Sequence, residues 1–162
     1  MVNGDQDEYP RANAAALRLL TLCDRSKKDL RERLLKKDYP AGVVERVIQQ
    51  LESMDYLNDE RFAVKFAVDA VRRKNAGPAV VRYGLQQKGI ERRIIEETVG
   101  QIFQENEERE VARQALKKRL RIGARKPEDK KETIKKLSDF LRRKGFSYDI
   151  IKAAIGEIED DI

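Results

Sequence analysis

Histidine is absent from the 162 residues, and its absence removes several kinds of chemistry at once. Without an imidazole the chain cannot build a Ser-His triad, a Cys-His pair or a histidine-based zinc site. No Gly-rich phosphate loop, paired acid motif or metal-ligand cluster is found in the sequence either. We therefore expect a protein that is not an enzyme and that needs no cofactor.

Cysteine is almost absent as well. The single Cys23 cannot form an internal disulfide, which suits a reducing cytoplasm. Its neighbours Leu20 and Leu22 predict a partly buried thiol. No apolar run approaches the ~20 residues of a membrane span, and the polar, acidic residues 1–9 do not resemble a signal peptide. We expect a cytoplasmic location and no membrane contact.

Charge is plentiful but unevenly spread along the chain. Charged residues make up 40% of the sequence, with a net charge of +6. Residues 1–59 carry 10 basic and 11 acidic side chains, residues 60–105 carry 9 and 6, and residues 106–162 carry 16 and 12. The net charges are thus −1, +3 and +4. An anionic partner would be attracted to the second half of the molecule.

One pattern occurs three times. Segments 30–39, 81–90 and 137–146 superimpose with offsets of 51 and 56 residues, and the match continues downstream at Val44, Ile95 and Ile151. Tandem repetition is typical of arrays in which repeated units stack and a long surface does the work. This favours a binding protein over an enzyme with a pocket.

Each repeat is predicted to contain three helices. Apolar residues follow helical spacing, and no segment alternates with the period of a strand. Glycine and proline are few and stand at expected helix boundaries, as in Gly77-Pro78 and Lys88-Gly89. We expect an all-α fold of three tandem three-helix repeats in an elongated, curved array, with first helices packed on the preceding third helix. The predicted domains are a flexible tail 1–10 and repeats 11–58, 59–105 and 106–162.

Two glycine-related features depart from strict repetition. Asp38 stands where the later repeats have Gly89 and Gly145, which predicts a differently built turn because Asp tolerates a left-handed conformation less well. Gly84 lies inside a predicted helix at a cost of roughly 1 kcal/mol against Ala. We expect it to admit the close approach of another backbone.

Several motifs then resemble a known family. They are Arg25-Ser26 followed by Asp29-Leu30, the stretch from Tyr56 to Ala63, Gly77-Pro78 through Leu85, and Lys88-Gly89-Ile90. No single piece is diagnostic, but their order, spacing and triple recurrence are. Over residues 12–158 the chain resembles the RecX family of bacterial recombination regulators.

The resemblance implies a function and a partner. RecX-like proteins lie in the helical groove of the filament that the RecA recombinase forms on single-stranded DNA. There they suppress ATP hydrolysis and strand exchange and favour filament shrinkage. The chain is accordingly expected to be a monomeric negative regulator of homologous recombination and DNA repair, with RecA as its partner.

Two basic clusters are the candidate binding residues. The first consists of Arg72, Arg73 and Lys74, joined by Arg82 and Lys88. The second lies in residues 117–136, which hold ten basic residues against three acids. Its centre is Arg119, Arg121, Arg125, Lys126, Lys130 and Lys131. Phosphates or acidic side chains would be the partners, although such charges can also form an ordinary solvated surface.

The alternative is a nonspecific DNA-binding protein with modules like helix-turn-helix units. Charge alone can supply weak affinity for single-stranded or duplex DNA. Against sequence-specific reading, the predicted third helices are not basic: segment 147–158 has only Lys152. The aligned Lys37, Lys88 and Lys144 are interpreted as favouring the negative C-termini of their own helices.

Overall fold

The computed structural model describes residues 4–105, 107–122 and 130–158. Across these residues the chain forms nine helices and no strand. The all-α prediction is therefore confirmed. The helices, in chain order, are α1 (Gly4–Leu22), α2 (Lys27–Leu35), α3 (Ala41–Ser53), α4 (Asp59–Lys74), α5 (Pro78–Gln87), α6 (Arg92–Glu105), α7 (Glu108–Ile122), α8 (Lys130–Lys144) and α9 (Tyr148–Gly156).

Local sequence signals set several of the helix starts. The side chains of Ser26, Asn58 and Ser147 each accept a hydrogen bond from the backbone N–H three residues ahead, at the starts of α2, α4 and α9. Pro78 opens α5, where its missing N–H costs nothing. Each group of three helices packs together, so α1–α3, α4–α6 and α7–α9 form modules 1, 2 and 3.

The apolar residues form two cores. One belongs to module 1 and includes Ala12, Leu30, Val44 and Leu57. The other runs without a break from Ala63 in module 2 to Ile158 in module 3. In the part of the chain that the structure describes, modules 2 and 3 therefore share one core, whereas module 1 has its own.

The N-terminal helix begins earlier than the sequence indicated. Helix α1 starts at Gly4 and contains Pro10, so described residues of the expected tail are helical. Tyr9 attaches this part of the helix to α3. Its hydroxyl donates to the Gln50 side chain of α3, and the Arg46 guanidinium lies 4.9 Å from its ring centroid.

Consecutive modules meet mainly at the ends of their second helices. Neither α3 with α4 nor α6 with α7 is among the closely packed helix pairs, so the expected packing of a first helix on the preceding third helix is wrong. In joint 2–3, between modules 2 and 3, the backbone N–H groups of Gly77 and Ala79 donate to the carbonyls of Lys144 and Gly145, at 2.7 and 3.1 Å. In joint 1–2 the Ser26 hydroxyl donates to the Lys88 carbonyl at 2.7 Å. The unpaired amides at a helix N-terminus and the unpaired carbonyls at a C-terminus satisfy one another there.

The turn that follows each second helix has the same left-handed conformation in all three modules. The φ angles are 63° at Asp38, 72° at Gly89 and 91° at Gly145, so the expectation of a different turn at Asp38 is wrong. A Cβ on Gly145 would lie 2.5 Å from the Val80 nitrogen, and one on Gly89 would lie 2.4 Å from the Lys28 Cδ. Asp38 is exposed and avoids such overlap, so a side chain is tolerated there.

Two smaller expectations also need correction. Gly84 makes room for a side chain and not for a backbone, because a Cβ there would lie 2.5 Å from the Phe66 ring. Cys23 is exposed and not partly buried, since it follows the last residue of α1. Within the described residues, no helix is long and apolar enough to cross a membrane.

Candidate partner-binding surface

Joint 2–3 brings parts of the two basic clusters of the sequence together. Arg72, Arg73 and Lys74 form the last turn of α4, and all three side chains are exposed. The Lys144 ammonium, at the end of α8, donates to the Lys74 carbonyl at 2.5 Å. A cation of module 3 thus satisfies a carbonyl at the C-terminus of a module 2 helix, where the helix dipole favours positive charge.

The Phe140 ring contacts Lys144 and one further cation, Arg119. The Lys144 ammonium lies 5.5 Å from the ring centroid, and the Arg119 guanidinium lies 5.7 Å from it. Both distances fall within the range of cation–π attraction. The half-buried Phe140 ring of α8 thus contacts one cation from α7 and one from its own helix.

Like charges gather here without compensating acids. Burial, followed by repulsion from Lys118 and Lys74, lowers the pKa of the Lys144 ammonium. Among the described residues, no acidic side chain forms an ion pair with Lys74, Lys118, Arg119 or Lys144. We call these four residues the joint basic surface. Arg72 is outside it, since residues two apart on a helix do not face each other. Uncompensated cations of this kind attract anions and release counterions when they bind a polyanion.

Other predicted site residues are already paired or lie elsewhere. Arg73 pairs with Asp69 at 3.1 Å, and Arg82 pairs with Glu96 at 3.1 Å. Lys88 is exposed at the other end of α5, about 15 Å from joint 2–3 at 1.5 Å per residue. The structure therefore does not bring Arg82 and Lys88 into the joint basic surface.

The second predicted cluster is only partly described. Arg121 is exposed in the last turn of α7, and Lys130 and Lys131 are exposed in the first turn of α8. Arg125 and Lys126 lie outside the described residues. Arg119 is thus the one member that the structure places in the joint basic surface.

Sequence reasoning did not single out Lys118 and Lys144. Lys118 lies inside the basic segment 117–136, and its position on α7 could have been read from helical spacing. Lys144 was interpreted as acting on its own helix, but it caps α4 instead. Only the contact between modules reveals that role.

An open groove of about 540 Å³ adjoins this surface along α4. Lys74 and Arg73 lie at one part of it, and the half-buried rings of Phe62 and Phe66 line another, with their centroids 6.2 Å apart. Cations beside apolar rings can accept a partner's apolar side chain as well as its negative charge. In the described part of the chain, no cluster of His, Cys, Asp or Glu suited to a metal ion is found.

Comparisons with known proteins agree with this architecture. Models of the first, second and third three-helix domains of RecX match residues 12–51, 58–99 and 106–155, in that order. A regulatory protein RecX from Clostridioides difficile (strain 630) is 34% identical over 154 residues, which cover 95% of this chain and 71% of that protein. The chain belongs to the RecX family.

Other RecX proteins give the same result. The regulatory protein RecX of Bacillus subtilis (strain 168) is 33% identical, and the match covers 94% of this chain and 57% of that protein. A crystal structure of RecX from Lactobacillus salivarius superimposes with a TM-score of 0.82 at 25% identity, covering 97% and 99% of the two chains. A second RecX crystal structure gives a TM-score of 0.77 at 26% identity, covering 91% and 71%. The family and the fold of tandem three-helix modules are confirmed.

Proposed function

We propose that this RecX-family protein is a negative regulator of homologous recombination and DNA repair. It binds in the groove of the RecA filament on single-stranded DNA and inhibits ATP hydrolysis and strand exchange. It acts as a monomeric cytoplasmic protein by binding, without catalysing a reaction of its own. Its membership of a family of regulatory proteins supports this function.

The joint basic surface is the observation that supports groove binding. Its four cations come from α4, α7 and α8, so a ligand that engages them all contacts modules 2 and 3 together. A filament presents both DNA phosphates and acidic protein side chains, and uncompensated cations suit either. A tandem array can moreover place successive modules along a groove that spans several RecA subunits.

RecA's hydrolysis of ATP on single-stranded DNA tests the function directly. Adding the protein should slow hydrolysis at stoichiometries at or below that of RecA. The double variant Lys118→Glu, Arg119→Glu should need about tenfold more protein for half-inhibition, which corresponds to ~1.4 kcal/mol of binding free energy. The helical content should stay unchanged, since both side chains are exposed.

The control is Lys36→Glu, Lys37→Glu, which makes the same change in net charge at two adjacent exposed positions outside the joint basic surface. It should inhibit like the unmodified protein. If both double variants inhibited equally weakly, the loss of inhibition would be due to net charge alone, and the assigned surface would be refuted. Unimpaired hydrolysis and strand exchange in the presence of the unmodified protein would refute the function itself.

Direct DNA binding remains the alternative function. Sequence-specific reading is disfavoured because Arg93 of α6 is engaged by Glu97 at 2.9 Å and by Glu60 at 3.3 Å. Nonspecific binding through the joint basic surface would weaken steeply as salt rises. A salt titration on random single-stranded and duplex DNA distinguishes the two, because tight, salt-resistant binding to one sequence would favour a sequence-specific DNA-binding protein.

A further inference from the structure

Joint 1–2 is built from polar contacts. The Ser26 hydroxyl donates to the Lys88 carbonyl at 2.7 Å, and the Lys27 backbone N–H donates to Oδ1 of Asp59 at 2.9 Å. Ser26 is fully buried, and Asp59 is 8% exposed. An exposed ion pair between Lys65 and Asp24, at 2.9 Å, lies beside them. Module 1 is thus held to module 2 chiefly by hydrogen bonds and charge.

Joint 2–3 differs at equivalent positions. Gly77 aligns with Ser26, and its backbone donates directly to the Lys144 carbonyl. A Cβ on Gly77 would lie 2.6 Å from the Gly145 carbonyl carbon and 2.9 Å from the Phe146 ring. Pro78 aligns with Lys27 and has no N–H to satisfy, so no counterpart of the Asp59 carboxylate is needed. The helices of joint 2–3 therefore touch without an intervening side chain.

The cores follow the same division. The core shared by modules 2 and 3 includes Phe146 and Val81 on the two sides of joint 2–3. Within the described residues, the module 1 core has no member in common with it. Separating modules 2 and 3 would expose apolar surface to water. Separating module 1 mainly exchanges hydrogen bonds to protein for hydrogen bonds to water, which has a small net cost.

The segment between α3 and α4 is compatible with rotation of module 1. Met54 and Tyr56 are 54% and 57% exposed, and Asp55 is in the left-handed conformation with φ 57°. The Asp55 backbone N–H donates to the Glu52 carbonyl of α3 at 2.9 Å, and its side chain accepts hydrogen bonds from Asn58 and Arg61 at 2.9 and 2.7 Å, so Asp55 links the end of α3 to the start of α4. A short exposed connection of this kind can absorb the backbone rotation of a hinge.

We propose that Ser26, Asp59 and the Lys88 carbonyl form a polar latch, and that module 1 moves as one body when the latch opens. Modules 2 and 3 remain a single body throughout. The burial that raises the pKa of Asp59 opposes its ionised form, so the closed latch holds a carboxylate that water would solvate better. The inference goes beyond the proposed function and does not depend on it.

Single-molecule energy transfer between two dye pairs tests the latch in the full chain. All variants carry Cys23→Ser so that only introduced cysteines react. The first pair, Lys36→Cys with Lys152→Cys, reports the separation of module 1 from module 3. The second pair, Tyr83→Cys with Lys152→Cys, reports modules 2 and 3. All three positions are exposed.

Asp59→Ala removes the acceptor for the Lys27 N–H. It should raise the population of open arrangements, seen with the first pair, by roughly fivefold, because one buried hydrogen bond is lost. The second pair should keep its distribution. Asp59→Asn retains an oxygen that accepts the same bond and should restore the closed distribution.

Ser26→Gly supplies an independent second variant. It removes the bond to Lys88 but leaves a residue that is tolerated at a helix N-terminus, so α2 should persist. It should increase the population of open arrangements seen with the first dye pair, as Asp59→Ala does. An unchanged first pair in both variants, or equal broadening of both pairs, would overturn the proposal.

Discussion

Asp59 shows how a single side chain can join two modules at an energetic cost. Its carboxylate accepts the first N–H of α2, in the preceding module, and it lies almost fully buried. Burial raises its pKa above the ordinary 3.8, while the Lys27 N–H and ammonium act in the opposite direction. Because the net shift raises the pKa, the folded protein favours the protonated form of Asp59 more than the unfolded chain does.

The stability of the protein should therefore depend on the ionisation of Asp59. Because the folded-state pKa is raised, the group's contribution falls as pH rises through that pKa and stays lower above it. Asp59→Asn should accordingly be more stable than the unmodified protein at pH 7. The difference should shrink as pH is lowered toward 3.8. Urea unfolding across this range measures it, and a difference that grows toward acid pH would contradict the assignment.

Other acids titrate in the opposite sense. The hydrogen bonds from Arg25 and Arg33 lower the pKa of Asp29 despite its partial burial, so its stabilising effect is lost as pH falls below 3.8. The titration of these other acids is the same in the Asp59→Asn variant, because only Asp59 is changed. Comparing Asp59→Asn with the unmodified protein at each pH therefore isolates the buried group.

Residue-level features that depend on near neighbours in sequence could be predicted. Ser26 and Asn58 cap helices because the N–H groups they accept from are only three residues away, and Pro78 opens a helix because it lacks an N–H that would need a partner. The role of Lys144 could not be predicted, because the Lys74 carbonyl it binds is 70 residues distant. Sequence spacing alone carries no information about that contact.

At the scale of helices, the second helix of each module forms the connection between modules. The N-terminus of α2 meets the C-terminus of α5, and the N-terminus of α5 meets the C-terminus of α8. Their dipoles thus run head to tail along the array, which is the favourable arrangement. Glycine follows α5 and α8 because a left-handed turn there must also leave room for the neighbouring helix.

Two glycine substitutions should have opposite effects. Gly145→Ala should destabilise the protein by at least about 1–2 kcal/mol, because a left-handed Ala is strained and its Cβ would overlap Val80. Gly100→Ala, inside α6 with open space around it, should stabilise the protein by about 0.5–1 kcal/mol. Thermal or urea unfolding compares the two. A Gly145→Ala protein as stable as the unmodified one would contradict the joint geometry.

The repeat alignment placed positions 38, 89 and 145 at the same point of each module, and the left-handed turn recurs at all three, although the Asp at position 38 had predicted a different turn there. It did not predict which elements would meet between modules. Apolar periodicity identifies the buried face of a helix, whereas contacts between helix ends involve backbone amides and carbonyls that every sequence has. Joint packing was therefore mispredicted even though the helices themselves were recognised.

The whole molecule combines one separate module with a pair that shares a core. Three similar repeats in the sequence suggest three equivalent units, but the two joints differ. Serine and aspartate mediate joint 1–2, and glycine and proline form joint 2–3. The joint basic surface lies across joint 2–3, the joint with the shared core.

At the scale of the whole molecule, the proposed function depends on the joint basic surface facing the partner. Composition predicted that the second half would attract anions, and the described cations of modules 2 and 3 form such a surface. The charges of the sequence could not reveal that Arg73 and Arg82 are neutralised by acids while Lys118 and Lys144 are not. That distinction requires the positions of the acids in space.

Electron microscopy of RecA filaments on single-stranded DNA, with this protein added, shows whether the protein binds in the groove through the joint basic surface. We predict additional density along the filament groove, with modules 2 and 3 oriented so that the joint basic surface faces DNA or RecA. Filaments mixed with Lys118→Glu, Arg119→Glu should show that density at much lower occupancy. Full occupancy with the joint basic surface turned toward solvent, or no added density at all, would contradict the account.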